Sequence, residues 1–89
     1  MIFKSEFLAD LWPVIVDRLE LPSIRMLVQQ RTKLHDVVVT TNKSGEKHVV
    51  FRLEVSQHWL AMVQSRVRLI EASASAVLGS SEIVLIGEE

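Results

Sequence analysis

The sequence contains no cysteine in its 89 residues. Disulfides, iron–sulfur clusters and thiolate zinc sites are therefore excluded. That absence fits a cytoplasmic setting, since small secreted domains more often carry disulfide staples. Glycine is confined to Gly45, Gly79 and Gly87, so no glycine-rich phosphate loop can be drawn. No apolar run reaches the roughly 18 residues that a membrane span requires. Lys4, Glu6 and Asp10 break up the amino terminus, which does not read as a signal peptide. Charge of one sign is also lacking: ten Lys and Arg stand against eleven Asp and Glu, a net charge of −1. Diffuse attraction to nucleic acid or anionic membrane is excluded, while a local basic patch is not.

What is present suits a folded domain. Apolar residues make up 48% of the chain and charged residues 24%, which argues against intrinsic disorder. At 10.1 kDa, folding would reduce about 14,600 Å² of extended surface to about 5,300 Å², enough for one modest core. Residues 1–89 are therefore expected to form a single domain.

Periodicity orders the elements. Met1 to Ala9 is either loose or an extension of the first helix. Asp10 is expected to cap that helix, with Pro13 in its first turn and Trp12, Ile15, Val16 and Leu19 on one face. Ser23 is expected to cap a second helix from Ile24 to about Leu34. The β-branched run Val37 to Thr41 predicts a strand. The polar stretch Asn42–Lys47 is a turn, with Gly45 free to take a positive φ. Val49, Phe51, Leu53 and Val55 then alternate with His48, Val50, Arg52 and Glu54, the pattern of a strand with one buried face. Ser56 is a cap for a long helix whose stripe runs Trp59, Val63, Val67, Ile70, Ala74, Val77 and Leu78, ending at Gly79. Ser81 to Ile86 is a last strand with apolar residues on both faces. The order is α-α-β-β-α-β. The expected fold class is α+β, a three-stranded sheet covered on one side by helices; the last strand either lies beside a hairpin edge or stays loose, and the long helix before it permits a right-handed parallel crossover.

No chemical cluster emerges. His35, His48 and His58 are not at ligand spacing with one another, and no serine sits in a glycine-rich elbow. Ser73 and Ser75 read as small residues on a helix that approaches another element. The expectation is no catalytic residue, no metal and no cofactor. Trp12 and Trp59 are expected to anchor their helices in the core. Leu60 and Met62 beside Trp59, Met26 on the second helix, and Val84 and Ile86 on the last strand are candidate partner contacts. Arg25, Arg31, Lys33, Arg66 and Arg68 form the competing nucleic-acid surface, or else a solvated face. The unpaired edge of the last strand makes a homodimer possible.

A resemblance sharpens this. The stretch LWPVIVDRLELPSIRMLVQQRTKL, a hairpin, then VSQHWLAMVQSRVRLIEASASAVLG and a last strand resemble the carboxy-terminal domain of bacterial DNA polymerase III gamma/tau subunits, most of all the cyanobacterial type. The matching positions are Leu11, Trp12, Val16, Leu19, Ser23, Leu27, Gln30 and Leu34. They continue at Val55, Trp59, Leu60, Met62, Gln64, Arg66, Glu71, Ala72 and Gly79. The arrangement is more distantly similar to the amino-terminal domain of the bacterial replication initiator. The resemblance implies a KH-like fold used for protein contacts, tethering a clamp-loader subunit to polymerase or helicase without ATPase chemistry. A nucleic-acid-binding KH-like module is the alternative, although the helix junction Leu21-Pro22-Ser23-Ile24 has no glycine to build the backbone-clamping GXXG loop.

Overall fold

The alternation at Val49, Phe51, Leu53 and Val55 organises the molecule. The structure is a computed structural model that describes residues 2–4 and 6–88, with side chains over 6–87. All four residues lie buried on one face of β3 (Lys47–Ser56). The remaining elements are β1 (Ile2–Lys4), α1 (Glu6–Ala9), α2 (Trp12–Asp17), α3 (Pro22–Arg31), β2 (Thr32–Thr41), α4 (Gln57–Gln64), α5 (Val67–Leu78) and β4 (Ser81–Glu88).

The sheet order is β1-β2-β3-β4. The β1–β2 and β2–β3 pairs are antiparallel, and β4 runs parallel to β3. A parallel neighbour needs a long return connection, which α4 and α5 supply. The expected α+β class is present, and the last strand is not loose: it lies beside the hairpin edge in the parallel sense, so the sheet of three long strands is mixed. Val37, Val39, Phe51, Leu53 and Ile83 from the sheet meet Ile15, Val16, Ile24, Val28, Ile70 and Ala74 from the helices in one core. Trp12 leans on this core, its ring centroid 5.3 Å from that of Phe51. No helix among the described residues is long and apolar enough to cross a membrane.

Several local expectations need correction. Met1 and Ser5 lie outside the described residues; the other residues before Asp10 form two elements separate from the first long helix. Ile2–Lys4 pairs with Thr40, Val39 and Val38 as a short edge strand, and α1 is a separate single turn. A fourth, short strand therefore extends the three long ones. Asp10 lies in the turn before α2, whose N-cap is Leu11; Pro13 does fall in the first turn. Ser23 is inside α3, because Pro22 already occupies a first-turn position, where its missing N–H costs no hydrogen bond.

The second helix stops at Arg31, so Leu34 belongs to β2. Thr32 is β-branched and adopts extended angles (φ −132°, ψ 158°). Its hydroxyl donates to the Val28 carbonyl at 2.6 Å, satisfying an acceptor that the helix end exposes. The long helix expected from Ser56 to Gly79 is also divided. Ser65 Oγ donates back to the Met62 carbonyl at 2.6 Å, and the Arg66 N–H tightens onto the Val63 carbonyl at 2.9 Å. The break re-aims the apolar stripe, so that Val63 of α4 and Ile70 and Ala74 of α5 are all buried.

The turns follow the expected chemistry. Gly45 and Gly79 have φ of 82° and 81°, where a Cβ would be strained. Asn42 Oδ1 accepts from the N–H groups of Ser44 and Glu46, both at 2.9 Å. Ser73 is the small residue at a helix crossing: its hydroxyl donates to the Ile15 carbonyl at 2.7 Å, joining α5 to α2. Ser73→Ala is therefore expected to destabilise the domain by about 1 kcal/mol, the net worth of one partly buried hydrogen bond. Urea unfolding checks this, and an unchanged midpoint would mean that the bond adds nothing.

Candidate functional site

The groove between α3 and α4 follows from helical spacing. Ile24 and Val28, four residues apart, face the core, while Met26, Leu27, Gln30 and Arg31 turn toward α4. On α4, Trp59 and Met62 lie one turn apart, and Arg66 follows four residues later at the break. The two faces enclose an open groove of about 330 Å³. Met26 is 54% exposed and Met62 52% exposed, large values for apolar side chains. Methionine is unbranched and polarizable, so such a pair adapts to a partner's shape.

Arg31 and Arg66 give the groove its charge. The Arg31 guanidinium carbon sits 4.4 Å above the Trp59 ring centroid, a cation–π contact. Trp59 is thus half-buried at the groove, whereas Trp12, equally half-buried, packs against the core. No acidic side chain lines the groove. Past Arg31 and Trp59 it runs into a shallower notch that includes Lys33 and Glu54. Glu54 is engaged by His35 Nδ1 at 2.9 Å, leaving the local balance basic.

The candidate residues thus sort into distinct places. Met26 and Met62, from the partner-contact set, share the groove with Arg31 and Arg66, from the nucleic-acid set. Lys33 lines the adjoining notch, whereas Arg25 is half-buried and Arg68 exposed, both outside the groove lining. Leu60, Val84 and Ile86 lie at β4: Val84 and Ile86 are on the sheet face away from the helices, and Leu60 of α4 packs beside Gly87.

The helix-free face of the sheet carries polar pairs that sequence reasoning did not join. Asp36 and Arg52, opposite each other on β2 and β3, form a two-pronged ion pair. The hydrogen bond to Asp36 holds the Arg52 guanidinium pKa above its ordinary value. A register shift between Leu34 and Asp36 brings His35 to Glu54. His48 joins the Ser80 hydroxyl through Nδ1 (2.7 Å) and Glu82 through Nε2 (3.2 Å). That chain pins the entry of β4 to β3. It lines none of the grooves described, and its groups are exposed to water. A period-2 pattern places His48 and Glu82 on one sheet face, but only the parallel register makes them neighbours. Among the described residues, no three His, Asp or Glu side chains are grouped so as to hold a metal ion. Comparison with known proteins returns no matching family model, no matching curated protein and no matching solved structure.

Proposed function

We propose that this chain is a protein-interaction module of the bacterial DNA replication machinery, a KH-like domain in the manner of the gamma/tau carboxy-terminal domain. Its α3–α4 groove receives an amphipathic, acid-flanked helix of the replicative polymerase or helicase. The observation that carries the reading is the pair of half-exposed methionines, Met26 and Met62, lining one groove with Trp59, with Arg31 over the Trp59 ring and Arg66 at the groove wall. Apolar anchors of a docked helix would enter between the thioethers, and its acidic residues would meet the two guanidinium groups. The succession α2-α3-β2-β3-α4/α5-β4 supports the KH-like assignment by preserving the expected element order, with α4 and α5 standing for one helix.

The alternative is a KH-like nucleic-acid-binding module, favoured by the convergence of Arg31, Lys33 and Arg66. Two observations weigh against it. Arg31 already covers a face of Trp59, and the exposed thioethers offer phosphate nothing. The separating experiment is a binding titration against purified replicative polymerase and helicase, and against single- and double-stranded DNA over a salt series. Saturable binding to one of the two proteins with negligible DNA affinity is expected. Binding to DNA alone, falling steeply with salt, would replace the proposal with its alternative.

A further inference from the structure

The two ends of the sheet differ. At one, β1 is only three residues long. At the other, β4 runs eight residues from Ser81 to Glu88 and is paired on one side only. Its register with β3 is unbroken from Val49↔Ser81 to Ser56↔Glu88. The segment holds no lysine and no proline. It therefore lacks the usual devices that protect an exposed edge, which are bulges, proline and outward lysine. Glu82 is the charged residue best placed to guard it, but its carboxylate is drawn toward β3 by His48.

Backbone direction is fixed by one hydrogen bond. The Val49 N–H donates to the Ser80 carbonyl while Val49 stands opposite Ser81. Successive residues of a strand turn their N–H and C=O groups to opposite sides. Glu82, Val84 and Ile86 thus bond back to β3, and Ser81, Ile83, Leu85 and Gly87 present theirs to the free edge.

We infer that β4 pairs antiparallel with β4 of a second copy of this chain, about a twofold axis at Val84, forming one continuous sheet across a dimer. The strand selects this partner and register by its own pattern. With the axis at Val84, Ser81 stands opposite Gly87 of the second copy and Ile83 opposite its Leu85, each twice by symmetry. These narrow pairs make about eight main-chain hydrogen bonds. Val84, 38% exposed, meets its own copy on the helix-free face, and Glu82 lies opposite Ile86 of the second copy. Moving the axis to Leu85 would set Glu82 against Glu88 of the second copy, a like-charge pair that disfavours that register. A twofold perpendicular to the sheet keeps both sets of helices on one side, so Leu60 approaches the junction from α4. The inference is independent of the α3–α4 groove.

The test is sedimentation equilibrium of the full chain from about 10 µM to about 1 mM, with amide hydrogen exchange at both ends of that range. A monomer–dimer equilibrium is expected. The amides of Ser81, Ile83, Leu85 and Gly87 gain protection as concentration rises, while those of Val84 and Ile86 are already protected. Val84→Lys should weaken the dimer by about tenfold or more, since it sets two ammonium groups against each other, and mixing it with Val84→Glu should restore association. A monomer throughout overturns the inference. So does a dimer in which the odd-numbered β4 amides exchange as in the monomer, because such a dimer would use another surface.

Discussion

Phe51→Ala is expected to lower the unfolding free energy by about 3–5 kcal/mol, the cost of removing a large aromatic from a closed core. A domain of this length has about 4–13 kcal/mol in total, so the variant should lose at least about a quarter of its stability. Phe51 has no exposed surface, lies on the strand that pairs with both β2 and β4, and supports the Trp12 ring. Its loss empties the place where the sheet and α2 meet. Urea unfolding should show a much lower midpoint with little change in slope. A loss below about 1 kcal/mol would mean that the site collapses around the alanine, or that Phe51 is not central to the packing.

The second large effect is on binding and leaves folding nearly intact. On the proposed docking, the double variant Met26→Glu, Met62→Glu should lower affinity for the polymerase or helicase by about 100-fold, or about 2.7 kcal/mol. Two central anchors of an interface commonly carry that much. The new carboxylates would also repel an acid-flanked helix and draw Arg31 and Arg66 to themselves. Because both methionines are more than half exposed, stability should change by no more than about 1 kcal/mol across the two sites. Titration calorimetry with the polymerase or helicase measures the first quantity, and thermal unfolding the second. Equal partner affinity in variant and parent would exclude the groove as the docking surface.

These two variants mark how far the sequence could be read. Phe51 was legible because period-2 alternation over Val49–Val55 admits one face and one element type. The hairpin turn was legible from Asn42 and Gly45, whose side-chain and backbone chemistry fit few other roles. The boundaries at Thr32 and at Ser65–Arg66 were not. Each depends on a hydroxyl returning to a helical carbonyl, and neither serine nor threonine advertises that choice in one dimension. The strand at Ile2–Lys4 escaped for another reason: its partner, β2, lies nearly forty residues away along the chain.

The site was legible residue by residue and not as an arrangement. Met62 stood out beside the Trp59 stripe and Met26 on the second helix, and Arg31 and Arg66 as cations on the same two helices. Whether thioethers and guanidinium groups share a surface depends on which faces of α3 and α4 meet, a question of tertiary packing that helical spacing leaves open. The His48–Glu82 link was hidden in the same way, since it exists only in the parallel register of β4 on β3.

The most direct test of the docking groove is a methyl-resonance titration of the methionine- and valine-labelled chain with the purified replicative polymerase and then the helicase. Binding through the groove predicts that Met26 and Met62 shift or broaden together at one of these additions, with Trp59 fluorescence changing in step and the valine methyls of Val38 and Val50 unmoved. If a bound partner perturbs Val38 and Val50 and leaves both methionines unchanged, or if neither protein binds at all, the account of α3 and α4 as a docking surface is wrong.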